Sequence, residues 1–172
     1  MFERHFRSVH RYLKRATSES AADDLSAEVF VTAFKSRARY DERYEDAGPW
    51  LYGIAANMAR HYFRSERRWR RLAVRASGVA PVDHFADPAD VVAEKSSDTG
   101  RLEQALRKLD PRFREVLLLD TGPELSDEEI ARTLSIPVGT VKSRLARGRR
   151  ELRERLLEGG QEVTESKKEP RP

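Results

Sequence analysis

Residues 125–152 read LSDEEIARTLSIPVGTVKSRLARGRREL, and this stretch decides how the C-terminal half is built. Ser126 stands before Asp127-Glu128-Glu129, a good N-cap followed by acids that suit the positive end of a helix. Ile130, Ala131 and Leu134 share the inner face, and Ser135-Ile136-Pro137 makes a tight turn. The helical pattern restarts at Val138 or Gly139, with Val141, Leu145 and the small Gly148 on its inner line. At about 100° per residue, Ser143, Arg147 and Arg150 point the opposite way, flanked by Lys142, Arg144 and Ala146. A short helix, a turn and a second helix with a basic outer face make a helix-turn-helix. Such a second helix has the width of a major groove. Its N-terminal amides and Thr140 suit phosphate, while Lys142, Ser143 and Arg147 suit base edges. The competing account is a plain helical hairpin with a solvated arginine face. Small inner residues at the turn combined with basic outer ones favour DNA.

Working outward, Arg101 opens another periodic segment, and Pro111 starts the helix PRFREVLLLD. At the other end, Phe2, Phe6, Val9 and Leu13 recur at helical spacing. After a polar TSESAADD segment, Ser20 or Asp23 is expected to cap the next helix, DDLSAEVFVTAFKSRAR. There Leu25, Val29 and Ala33 align, with Phe30 and Phe34 beside them. Asp24 and Glu28, four apart, form an acidic edge that an ordinary wet face would equally explain. RYDERYEDAGPW reads as a loop broken by Gly48-Pro49, and a long helix is predicted from about Trp50 to Arg71. The pattern then fades into small, acidic, Gly and Pro residues. The expected fold is all-α: two small helical domains, residues 1–72 and 101–158, joined by a flexible linker, residues 73–100. The second is the helix-turn-helix, and residues 159–172 form a polar, disordered tail.

The middle helix, WLYGIAANMARHYFRSERRWRR, mixes two chemistries. Leu51, Ile54, Ala55, Met58 and Tyr62 can pack inward, while Arg60, Arg64, Arg67, Arg68, Arg70 and Arg71 face a single Glu66. Trp50, Tyr52, Asn57, Tyr62 and Trp69 interleave with these arginines. Cations to follow a backbone, with rings or amides to meet unstacked bases, suit a single nucleic-acid strand. Several of the rings, Trp50 among them, also suit a core.

Composition excludes much else. The net charge is +4, but arginine is clustered, which favours a polyanionic partner. Cysteine is absent, so disulfides, thiolate nucleophiles and Cys-ligated zinc are excluded. His5, His10, His61 and His84 lack the spacing of metal ligands, and no metal or cofactor is expected. No apolar run nears the ~20 residues of a membrane span, nor does the N-terminus read as a secretory signal. A cytoplasmic location without membrane insertion is therefore expected. No phosphate-cradling Gly-rich loop or catalytic constellation is visible, so neither enzymatic activity nor a small-molecule substrate is expected.

These segments resemble the extracytoplasmic-function group of sigma-70-type sigma factors, the promoter-recognition subunits of bacterial RNA polymerase. DDLSAEVFVTAF is similar to the group's core-binding helix, and WLYGIAAN with its basic run to the part that captures the minus-ten element. LDPRFREVLLL and LSDEEIARTLSIPVGTVKSRLARGRREL are similar to the domain that reads the minus-thirty-five element. The resemblance covers about residues 2–72 and 101–157. It implies that Asp24 and Glu28 meet the β′ clamp helices of core polymerase. Tyr40 and the loop to Pro49 would accept a flipped base, with Asn57 beside it.

The expected single-strand set is Tyr40, Trp50, Tyr52, Asn57, Arg60, His61, Arg64, Arg67 and Arg68. The expected duplex set is Thr140, Lys142, Ser143, Arg144, Ala146, Arg147 and Arg150. Implied partners are core polymerase through its β′ clamp helices and β flap, promoter DNA, and an anti-sigma protein. Gly53 stands where the family often has Arg, Ser135 where it usually has Gly, and Ala27 where it usually has Gln. The alternative is a free-standing helix-turn-helix regulator that binds duplex without polymerase.

Overall fold

A computed structural model describes residues 2–77, 98–123 and 125–165. Among these, the chain forms α1 (Phe2–Ala16), α2 (Glu19–Lys35), a 3₁₀ turn (Arg37–Arg39), α3 (Gly48–Ser77), α4 (Asp98–Lys108), α5 (Pro111–Thr121), α6 (Asp127–Leu134) and α7 (Val138–Glu165). No described residue is in a strand. The all-α expectation holds, with three helices in the first half and four in the second.

Local chemistry accounts for most boundaries. Ser18, rather than Ser20 or Asp23, caps α2, its hydroxyl accepting from the Ala21 amide. The helix therefore begins before the polar run ends. Gly48 and Pro49 open α3 instead of closing the loop before it. The fixed φ of proline fits a first turn, where its missing N–H costs nothing. At its other end α3 runs on to Ser77, six positions past the expected Arg71. Pro111 likewise begins α5, with the Asp110 carboxylate accepting from the Arg112 amide. The α7 helix continues to Glu165, into the segment expected to be disordered. Once nucleated, a helix extends through polar residues by adding one hydrogen bond per residue. The expected linker is helical at residues 73–77 and 98–100, and residues 78–97 of it lie outside the described residues.

In the first half, Val9, Tyr12, Leu13 and Ala16 of α1 pack with Ala22, Val29 and Ala33 of α2 and Leu51, Tyr52, Ala55 and Ala59 of α3. Ser26 is also buried there, and its hydroxyl donates to the Ala22 carbonyl 2.5 Å away. In the second half, Leu109, Val116, Leu117 and Leu119 meet Ile130, Leu134, Val141 and Leu145. These two sets form one continuous buried cluster. Helix α1 touches α5, and α3 touches α6. The halves therefore lie against each other, a juxtaposition that helical periodicity could not reveal.

Gly148 lets α7 approach α5 closely. A Cβ there would sit 3.1 Å from Phe113 Cβ and 3.1 Å from Leu117 Cδ1. Alanine would gain up to ~1 kcal/mol in helix propensity, against about 1–3 kcal/mol for overpacking. Phe113 Cβ is tied to its backbone and gives little. Gly148→Ala is expected to lower stability by about 1 kcal/mol in urea unfolding, the overpacking outweighing the propensity.

Candidate nucleic-acid interface

The helix-turn-helix is held by well-defined local bonds. At the start of α6, the Ser126 hydroxyl accepts from the Glu129 amide, while the Glu129 carboxylate accepts from the Ser126 amide at 2.8 Å. This reciprocal box satisfies two amides that the helix leaves without partners. At its other end, Ser135 adopts φ 54°, the only positive φ among the described non-glycine residues. The Ile136 amide then donates back to the Ala131 carbonyl at 3.0 Å, closing α6 with a left-handed turn. Glycine takes that conformation without a Cβ penalty. Ser135→Gly is therefore expected to stabilise the fold by about 0.5–1 kcal/mol, part of the relieved strain being offset by a freer unfolded chain. The check is a thermal melt, with a rise of about 1–4 °C.

The outer face of α7 carries Lys142, Ser143, Ala146, Arg147 and Arg150, all exposed. Lys142 and Arg147 have no ion-pair partner among the described residues. Arg150 lies 3.9 Å from Glu154, and Arg149 is engaged by Asp120 at 2.8 Å, which ties α7 to α5. Thr140 is half-buried, and its amide donates to the Pro137 carbonyl at 2.9 Å. The Ser143 hydroxyl donates to the Thr140 carbonyl at 3.0 Å, leaving its lone pairs as acceptors. Arg144 departs from the expected face. It is half-buried and near enough to Glu115 to act on that carboxyl, because its position borders the buried Val141–Leu145 line.

The first-half residues divide. Tyr40, Trp50 and Asn57 line one cavity of about 850 Å³, with Arg39 and Arg43 at its edge. The Tyr40 and Trp50 rings lie 5.1 Å apart, and the Tyr40 hydroxyl donates to the Tyr44 carbonyl, bracing the loop. Tyr52 is not at this site. It is 4% exposed and packs edge-on against Tyr12 at 5.6 Å, so it belongs to the core and cannot meet a base. His61, Arg64 and Arg68 gather elsewhere on α3, around a second hollow with Ser65 and Trp69. Trp69 is 70% exposed and was not among the expected contacts, although its place amid the arginines was visible in the sequence. The Arg67 side chain lies outside the described residues.

Arg60 faces the second half. Its Nη1 lies 3.3 Å from Glu115 Oε1, and its Nη2 is 3.5 Å from the Asn57 side-chain oxygen. Glu115 is 12% exposed in its side chain, and Oε1 has no aligned donor. Burial pushes its carboxyl above the usual range, against the opposing pull of Arg60, Arg144 and Arg114.

On α2, Asp24 and Glu28 are exposed and have no ion-pair partner among the described residues. Beside them Val31 and Phe34 are also exposed, Phe34 by 67%. Exposed acids next to uncovered apolar side chains suit a protein-binding face better than a merely wet one. None of the described helices is long and apolar enough to cross a membrane, and no group of acidic and histidine side chains able to hold a metal occurs among the described residues.

Comparison with known proteins gives this geometry its context. Residues 1–69 match the family described as Sigma-70 region 2, and residues 99–152 match Sigma-70, region 4. The chain is 34% identical over 159 residues to the RNA polymerase sigma factor CarQ of Myxococcus xanthus, covering 92% of this chain and 88% of that protein. It is 33% identical to the ECF RNA polymerase sigma factor SigW of Bacillus subtilis, covering 78% of this chain and 75% of SigW. Against the ECF RNA polymerase sigma factor SigE of Mycolicibacterium smegmatis the identity is 31%, and the chain spans 64% of that protein's length. Its fold is like that of CnrH, solved in complex with the cytosolic domain of CnrY, with a TM-score of 0.66 at 23% identity over 89% of this chain and 82% of CnrH. It is also like that of RpoE, solved with the anti-sigma factor NepR from Bartonella quintana, with a TM-score of 0.65 at 23% identity over 90% of this chain and 93% of RpoE. Two family regions in order along one chain, together with relatives matched over most of its length, establish that the chain belongs to the extracytoplasmic-function sigma factors of the sigma-70 family.

Proposed function

We propose that the chain directs core RNA polymerase to promoters, α7 reading the duplex minus-thirty-five element and the first half capturing melted minus-ten DNA. The observation that carries this reading is the pairing of two unlike surfaces in one chain. One is a helix face with Lys142 and Arg147, cations that no acid among the described residues engages; the other is a cavity lined by Tyr40, Trp50 and Asn57. Exposed cations on a groove-sized helix suit base edges of a duplex, whereas rings and an amide around a hollow suit one unstacked base. Neither surface needs bond-making chemistry. Opening is driven by the free energy of holding the separated strand, and the chain acts by binding rather than catalysis.

Asp24 and Glu28, with Val31 and Phe34 beside them, form the face that docks on polymerase. The same exposed face suits an anti-sigma protein, which would compete for it. Tyr52 and Arg144 are left out of the DNA-contacting set, while Trp69 joins Arg64 and Arg68 on the strand-facing side.

The test is transcription of a fragmented bacterial genomic template by purified core polymerase, with transcript 5′ ends sequenced. Start sites that appear only when chain and core are both present, behind a shared pair of upstream motifs, support the reading. Failure of the chain to associate with core polymerase at low salt overturns it. Tight binding to duplex DNA without polymerase, and no new start sites, would instead favour the free-standing regulator.

A further inference from the structure

The wall of the Tyr40, Trp50 and Asn57 cavity carries a carboxylate outside the strand-binding set. Asp46 lines the same cavity, at the end of the loop that enters α3. Its Oδ1 accepts from the Gly48 amide at 3.1 Å, and Nε2 of His5, on α1, lies 3.4 Å from the same oxygen. A Cβ at Gly48 would come within 2.7 Å of Oδ2, so the carboxylate occupies space that any other residue at position 48 would fill. His5 is half-buried, whereas Asp46 is exposed. One oxygen is thus held from two sides, and Oδ2 has no hydrogen-bond partner among the described residues.

Most other polar groups of this wall are already engaged. The Tyr40 hydroxyl donates to the Tyr44 carbonyl, and Arg43 takes up both oxygens of Asp41. Asn57 turns its side-chain oxygen toward Arg60 at 3.5 Å, which leaves its amide N–H groups as donors. Glu45 lines the cavity too, but it is exposed and nothing among the described residues fixes its carboxylate. Asp41, Glu45 and Asp46 together repel a phosphate, so a nucleotide enters base first and its phosphate stays outside, near Arg39 at the edge.

A base taken out of its stack is read on its Watson–Crick edge. Cytosine and adenine each present there one exocyclic amine beside a ring nitrogen that only accepts. A single free carboxylate oxygen suits the amine, and the Asn57 amide suits the ring acceptor. Thymine sets its one N–H there between two carbonyl oxygens, which repel a carboxylate. Guanine presents two parallel N–H groups and needs two free oxygens, where Asp46 has one. From this arrangement we propose that the cavity selects an amino-bearing base, cytosine or adenine, through Asp46 Oδ2, with His5 as the positioning residue that keeps Oδ1 occupied. That a base is the occupant rests on the function proposed above. Base pairing of this quality discriminates by about 5- to 150-fold, and the exposure of Asp46 places it at the low end, roughly 10-fold.

The test starts from a promoter found by start-site mapping. Its non-template strand is randomised across a premelted window, the pool is captured by the holoenzyme, and the retained strands are sequenced. The parent should hold cytosine or adenine at one position roughly 10-fold over thymine or guanine. Asp46→Asn, whose amide also donates, should raise thymine and guanine at that position and nowhere else. His5→Ala frees Oδ1 and should admit guanine there, while His5→Gln, which keeps an N–H donor, should hold the parent preference. A merely structural role for His5 would instead lower capture of all four bases alike.

A parent preference that Asp46→Asn leaves in place overturns the inference, as does thymine or guanine as the parent's base at the position that responds. A shift produced by Glu45→Gln and not by Asp46→Asn also overturns it, giving the choice of base to the other carboxylate. Equal loss of all four bases with His5→Ala removes His5 from the positioning role. Each of these outcomes leaves the sigma-factor reading standing, because the promoter has already been found. A holoenzyme that finds no promoter sinks that reading and this one together.

Discussion

Truncation of Leu51 to alanine is expected to lower stability by about 2–5 kcal/mol, the largest single loss foreseen in the first half. Leu51 is 0% exposed and faces α1 and α2 from α3. The other buried aliphatic positions along that face, Ala55, Ala56 and Ala59, are all small. Leu51 thus supplies much of the volume from its helix, and alanine neighbours have no long side chain to swing into the gap. A residual cavity adds its own cost to the lost transfer free energy. Domains of this kind are stable by only about 5–15 kcal/mol, so a large part of the total would go. Urea unfolding should show a lower midpoint with an unchanged slope. Leu157, 66% exposed on α7, is the control, and its alanine variant should stay within about 0.5 kcal/mol of the parent. A loss below about 1 kcal/mol at Leu51 would mean that the core collapses around the gap more readily than its packing implies.

Arg147→Ala is expected to weaken recognition of the duplex element by about 1–3 kcal/mol, roughly 5- to 150-fold. Arg147 is exposed, on the outer face of α7, and no acid among the described residues competes for its guanidinium. It therefore meets DNA without first breaking an internal pair. Lys142→Ala should act similarly if its ammonium reaches a base edge. If it reaches phosphate instead, binding should fall for every sequence alike, and the salt dependence should lose about one unit of slope. Arg149 provides the contrast, since its charge is already engaged by Asp120 at 2.8 Å. Arg149→Ala should chiefly loosen α7 on α5, and show in unfolding before it shows in sequence preference. The measurement is binding of the reconstituted holoenzyme to matched and altered promoter duplexes across a salt series. Equal loss on both duplexes with Arg147→Ala would remove it from the base-reading set.

Sequence alone determined the helices, and the reason is locality. Capping by Ser126, initiation at Pro111 and the 3.6-residue period of Val141, Leu145 and Gly148 all act within a few residues of chain. Errors fell where two local signals compete. Gly48-Pro49 punctuates a loop or begins a helix equally well, and only the surrounding packing selects the second. Likewise, a ring amid arginines can belong to the core or to a strand. Tyr52 went inward because Tyr12 lies opposite, a neighbour forty positions away.

What only tertiary structure decided is the meeting of the halves. Gly53, Glu115 and Thr133 stand in segments whose local pattern gives no sign of the contacts they make. Their importance comes from pairs brought together by folding, such as Thr133 with Pro49, 84 positions apart, or Arg60 with Glu115. Short-range preferences write themselves into residue order because neighbours along the chain are neighbours in space. A contact between distant helices depends on the whole path between them, so its partners leave no local trace.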